Sequence, residues 1–462
     1  MRVGGRAVSA GIVPKWLTLG NGLTVAVIAP ALVWSFLNLV LTLVLGHPSE
    51  STIEVPYLEL VIQLVLTGIV FLLLSRVDKT QWLMMLIPII IWSLVRGWFS
   101  GISPLWSLAL AFLLLSPLIS LLLAGHPALT NMRVLRSTFV IIMVGQLITF
   151  PFNLSYSLMD DDASFYDRFS GTLLGKGGYF SSYVLLAGAF FLLLSRAQSK
   201  VKLAVLITVM AYAWFAEVKL IWFVAGALAS GVLIMNATRK SFVWKIPVAF
   251  LLLISGALLS LLVPSSLALA VDWAPKGISI AGTTQQAMNL TQLAGDTPES
   301  VSGSKILVIV DTLNPWSDLW ATSDENVVTG VGPSGGLSNL SRTADAQTLF
   351  VDQQRPDSEF RENARALAGS QQQDQSLATQ PETTILGIVS ELGYLGLILF
   401  LAALALVFRS LLKKFDRSTV GIILGFVIAF VPLFSLWEVS GFWMVLALGL
   451  AAFGRRRNST LS

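Results

Sequence analysis

Cysteine is absent from this 462-residue chain, which excludes disulfides, thiolate catalysis and cysteine-ligated metals and leaves no redox mark of compartment. Histidine is almost as scarce: His47 and His126 are the only two, and neither has companions that suggest a metal site or a catalytic triad. Charge is thin as well. Asp, Glu, Lys and Arg make up 12% of residues against 55% hydrophobic ones, so most of the chain is solvated by lipid and length does not count domains. The alternating period of a membrane β-barrel is missing, as are Rossmann and serine-hydrolase signatures. No basic patch interleaved with aromatics marks a nucleic-acid surface, and no internal repeat is visible.

What is present is a succession of apolar runs. Crossing about 30 Å of hydrocarbon takes about 20 residues at about 1.5 Å of helical rise each, and lipid offers no partner to a bare backbone amide, so such runs must be helices. The runs predict an all-α polytopic membrane protein with spans at 22–46, 57–75, 81–99, 105–124, 134–152, 178–195, 201–216, 220–235, 245–263, 385–408, 420–436 and 440–453. The first lacks a small-residue cleavage pattern and reads as a retained helix and not a signal peptide. The chain thus divides into nine spans over 1–263, a large loop at 264–384, and three spans with a tail over 385–462.

Lysine and arginine fall in alternate connections. Arg76 and Lys79, Arg133 and Arg136, Arg196, Lys200 and Lys202, Arg239 and Lys240, and Arg409, Lys413, Lys414 and Arg417 share one side with both termini. The intervening loops are poor in cations. By the positive-inside rule, both termini are cytoplasmic and the large loop is external, as in a multi-pass protein of a bacterial inner membrane. The external loop carries 14 Asp and Glu against 6 Lys and Arg, so it is not expected to lie flat on an anionic lipid surface. Its apolar part at 306–320 is expected to wall a cavity over the helix ends, and 354–380 to stay solvated.

Ionisable groups at the external face are the functional candidates. Arg168, in Asp167-Arg168-Phe169-Ser170-Gly171-Thr172, can grip a phosphate or diphosphate by paired hydrogen bonds, or it can pair with Asp167 or snorkel to headgroups. Glu217 and Lys219 hold all the charge of a tight outer turn between Trp214 and Trp222: lipid phosphate binding competes there with a plain ion pair. Arg96, near the outer end of the third span, reads better as a snorkelling side chain than as a ligand group. The run from Thr329 through Gly330 and Gly332 to Gly336, with Arg342 after it, lacks the Lys-Ser/Thr of a nucleotide loop and by itself is a turn. Glu382 opens the tenth span, where the helix dipole favours it, and can serve as a general base or sugar-hydroxyl ligand; Glu391 lies within that span. Asp160, Asp161 and Asp162 read as a solvated acidic run rather than as a metal site.

The order of these features resembles the bacterial O-antigen ligase and polysaccharide polymerase superfamily. Arg168-Phe169-Ser170-Gly171-Thr172 is similar to its Arg-x-x-Gly-Thr/Ser segment, and Val328-Thr329-Gly330-Val331-Gly332-Pro333 to its Leu-x-Gly-x-Gly turn. Glu391-Leu392-Gly393-Tyr394-Leu395-Gly396 is similar to its Glu-x-Gly-x-x-Gly segment. Lipopolysaccharide ligases place a histidine before that last segment, where this chain has Glu382, Thr383 and Thr384 and a loop with no histidine; the resemblance therefore points to repeat-unit polymerase of an exopolysaccharide or capsule rather than ligase. It implies transfer of a glycan from an undecaprenyl diphosphate carrier to a sugar hydroxyl, without metal or cofactor, alongside a chain-length regulator and a flippase. Arg168 and Lys219, then Arg342, would stabilise the leaving diphosphate and Glu382 would take the acceptor proton. Glu217, Gly330, Gly332, Arg96 and Glu391 would line the substrate site. A transporter or flippase of lipid-linked oligosaccharide is the alternative of another class, and a non-catalytic export scaffold a third.

Overall fold

Apolar runs with few helix-breaking interruptions fold here as the helices their length predicts. A computed structural model describes residues 19–45, 76–102, 104–126, 129, 131–159, 177–194, 199–215, 220–238, 240–262, 327–333, 384–433 and 440–454. Among them run eleven helices: α1 (Leu19–Leu45), α2 (Arg76–Phe99), α3 (Pro104–Ala124), α4 (Met132–Met159), α5 (Gly177–Leu193), α6 (Ser199–Phe215), α7 (Ile221–Met235), α8 (Phe242–Leu262), α9 (Thr384–Lys414), α10 (Arg417–Leu433) and α11 (Ser440–Phe453). The span expected at 57–75 lies outside the described residues, as do the loop stretches 306–320 and 354–380.

Four helical stretches, Pro104–Ala124, Met132–Thr149, Phe242–Ser260 and Thr384–Lys414, are long and apolar enough to cross a membrane. By helix length and hydropathy the chain is a candidate multi-pass membrane protein, all-α in its described parts. The distribution of apolar surface fits a lipid solvent. Phe250, Leu251, Ile254, Leu258 and Leu259 stand exposed along α8, an arrangement that is an aggregation hazard in water and costs nothing in hydrocarbon.

Burial is deepest at α3 and α11. The second of these packs on α1, α3, α4 and α5 and carries Phe442 and Trp443, both fully buried in an aromatic cluster with Phe426 and Phe430 of α10. Apolar burial adds little between helices in lipid, so close packing must supply the adhesion. It does so between α7, α8 and α10. A Cβ built on Gly231 of α7 would lie 2.6 Å from the Gly425 nitrogen of α10, and one on Gly256 of α8 would lie 2.7 Å from the Trp222 carbonyl of α7. Ser230 Oγ adds a bond of 2.7 Å to the Ala249 carbonyl, and Ser181 Oγ donates to Gln146 Oε1 at 3.0 Å between α5 and α4.

The two ends of the bundle differ in chemistry. At one end, cations cap helix C-termini: Lys202 Nζ donates to the Leu193 carbonyl of α5 at 2.6 Å, Lys245 Nζ to the Asn236 carbonyl after α7 at 2.6 Å, and Arg136 Nε to the Ala452 carbonyl of α11 at 2.8 Å. Each places positive charge where the last carbonyls lack intrahelical donors and the helix dipole is negative. Asn236 also bonds Ser418 Oγ at 2.8 Å, and the Asp416 amide donates to the Gly454 carbonyl at 2.9 Å, so α7, α9, α10 and α11 meet at this end. Of these cations, Arg136 and Lys202 belong to the connections expected on the cytoplasmic side, and Lys245 opens the span expected at 245–263.

Candidate functional site

At the opposite end, three separate stretches of chain converge: the last turn of α2, residues 327–333 of the large loop, and the first turns of α9. The α9 ladder breaks at Gly393, whose backbone adopts φ 68°, ψ −176°, a conformation that is essentially open to glycine alone. In an unbroken helix the amides of Tyr394 and Leu395 would bond the carbonyls of Ser390 and Glu391. Instead they bond the loop, Tyr394 to the Val327 carbonyl at 3.1 Å and Leu395 to the Val328 carbonyl at 3.2 Å. The loop in turn bonds the vacated carbonyls, with the Val331 amide on Ser390 at 2.8 Å and the Gly332 amide on Glu391 at 2.9 Å.

Glycine is required on both sides of this contact. Gly330 and Gly332 have φ of 76° and 111°. A Cβ on Gly330 would lie 2.5 Å from the Gly393 nitrogen, and one on Gly393 would lie 2.6 Å from the Gly330 nitrogen. The two glycines are therefore reciprocal: each backbone occupies the space that a side chain on the other would need.

Helix α2 and the turn that follows it hold the assembly from the side with residues at 92, 96 and 100, spaced four apart and so on one face, the Ser100 amide still bonding the Arg96 carbonyl at 3.0 Å. Trp92 Nε1 donates to the Leu392 carbonyl at 2.9 Å, and Ser100 Oγ to the Val331 carbonyl at 2.8 Å. Arg96 donates Nε to the Gly330 carbonyl at 2.8 Å and Nη2 to the same oxygen. This differs from the snorkelling expected of Arg96. The carbonyl of buried Gly330 is a nearer and less solvated acceptor than a lipid headgroup, and a charge-assisted bond there outweighs extension to the interface. Below them α2 and α3 are joined by Ser93 Oγ, which donates to the Ser107 carbonyl at 2.7 Å.

Glu391 is fully buried, within the outer part of an apolar helix. A carboxyl group in such a place is costly and is a functional candidate on that ground. Of the residues expected to form the site, Arg96, Gly330, Gly332 and Glu391 are brought together here. Arg168, Glu217, Lys219, Arg342 and Glu382, like Asp160, Asp161 and Asp162, lie outside the described residues. Sequence reasoning missed Trp92 and Ser100; their spacing about Arg96 was the signal that could have found them. Among the described residues no group of three or more His, Asp and Glu side chains converges as a metal site. A cavity of about 430 Å³ lined by Asn236, Asp416, Arg417, Ser418 and Phe453 lies at the cation-capped end, where α9 turns into α10.

Compared with known proteins, the chain matches no family model and no curated sequence.

Proposed function

We propose that the chain is a membrane glycosyltransferase of the O-antigen ligase and polymerase type, acting on undecaprenyl-diphosphate-linked oligosaccharide at the external face of a bacterial inner membrane and extending an exopolysaccharide or capsule. One observation carries the reading. The two glycine-bearing segments on which the resemblance rests, at 328–333 and 391–396, are distant in sequence yet interlock through backbone bonds at one end of the bundle. That contact gives both segments a shared physical purpose, and it supports a working surface where the external loop meets the helix ends.

In the proposed reaction the acceptor hydroxyl oxygen bonds to the anomeric carbon while the bond from that carbon to the carrier diphosphate breaks. The bonding pair leaves on the diphosphate and the hydroxyl proton passes to Glu382. Arg168 and Lys219, with Arg342, stabilise the charge where it develops, and Glu217 and Glu391 belong to the surrounding polar wall. Arg96 keeps a place in the wall of the substrate site, with its guanidinium bonded to the Gly330 carbonyl.

The test is Arg168→Ala and Lys219→Ala in cells that make the polymer. Both proteins are expected to reach the membrane at normal abundance while polymer growth stops. Normal polymer lengths in both variants would overturn the assignment.

A further inference from the structure

The bonds at Gly393 have a property that follows from which atoms they use. The loop supplies two amides and two carbonyls to α9, and the four α9 groups it satisfies are the two donor–acceptor pairs that would close on each other in a straight helix. Withdrawing the loop therefore leaves α9 with no lasting deficit: the Tyr394 amide can bond Ser390, and the Leu395 amide can bond Glu391. The groups freed on the loop, at Val327, Val328, Val331 and Gly332, belong to the segment at the open end of the bundle, where water can take them. Loop docking and helix straightening are thus mutually exclusive ways of satisfying the same four backbone groups.

We propose that the outer part of α9 is a two-position element, kinked at Gly393 when residues 327–333 are inserted and straight when they withdraw, with Arg96, Ser100 and Trp92 as the latch that favours insertion. The side chains of the latch act on the inserted position: Arg96 and Ser100 bond the loop itself, and Trp92 bonds the Leu392 carbonyl, which a straight helix would return to the Gly396 amide. Straightening swings residues 384–392 relative to the rest of α9 and moves the Glu391 side chain with them, so the position of the loop sets the position of the buried carboxyl. The same exchange would operate whatever substrate the external face handles.

Amide hydrogen exchange on the detergent-solubilised full chain separates this from a fixed kink. In the native protein the amides of Val331 and Gly332 and those of 390–396 are expected to be protected. In Gly330→Ala the new Cβ meets the Gly393 nitrogen and expels the loop. The amides of Val331 and Gly332 are then expected to exchange at least about tenfold faster while 390–396 keep their protection, now within the helix. Gly393→Ala is expected to give the same pattern, because alanine disfavours the kink and favours the straight helix. Loss of protection in both segments would overturn the proposal, since α9 would then be broken with or without the loop. Retained protection in both would overturn it as well, and so would a Gly393→Ala chain that fails to fold, because straight α9 accepts alanine better than glycine.

Discussion

At the scale of single residues, Arg96 decides how the end that holds residues 327–333 is read. A guanidinium near a membrane interface most cheaply extends to headgroups, and on that account removing it changes little. Here it makes charge-assisted bonds to one buried carbonyl, and hydrogen bonds to charged groups contribute about 1.5–3 kcal/mol. Arg96→Ala is expected to cost about 1–2 kcal/mol in unfolding titrations in mixed micelles, around the lower end of that range because polar contacts in membranes average less. Arg96→Lys is expected to recover less than half, since an ammonium cannot present two N–H groups in a fixed fork. Unchanged stability in the alanine variant would return Arg96 to the snorkelling role. The type and rough depth of Arg96 were legible in the sequence. Its partner was not, because the acceptor is a main-chain oxygen on a loop more than two hundred positions away.

At the scale of elements, the helices in the described residues were legible because lipid leaves the backbone one way to satisfy itself. Their ends were less so. Hydropathy measures the thickness of hydrocarbon, and α9 continues from the expected limit at Phe408 to Lys414 on charged turns beyond it; α2 likewise begins at Arg76 instead of Gln81. The break at Gly393 was illegible as a break, since the segment that takes up its bonds lies in the loop. Packing between helices gives a sharper prediction. A Cβ on Gly231 would meet Gly421 and Gly425 backbone of α10, which cannot give way without moving the helix. A Cβ on Gly125 would meet chiefly Lys414 Cδ at 3.0 Å, the middle of a flexible side chain. Gly231→Val is therefore expected to destabilise the protein by about 2 kcal/mol or more and Gly125→Ala by less than about 1 kcal/mol. Equal losses in thermal unfolding would contradict the close α7–α10 contact.

At the scale of the whole molecule, the bundle is polarised. One end gathers lysine and arginine onto helix C-termini, and the other gathers the loop segment, the broken helix and a buried glutamate. Arg136 and Lys202, from the alternating cations of the sequence, and Lys245 bond helix-terminal carbonyls at the first of these ends. The proposed function rests on the opposite end, where the resemblance of the two segments and their interlocked glycines bear the argument together. A flippase would use charges near the bilayer centre and two symmetric halves, and a scaffold would need neither Glu391 nor the latch. The most direct measurement is made with purified protein in liposomes given undecaprenyl-diphosphate-linked oligosaccharide on the face that holds the large loop. The account predicts carrier-linked products of more than one repeat unit, formed with release of undecaprenyl diphosphate. Oligosaccharide that crosses the bilayer without growing, or that neither moves nor grows, would contradict it.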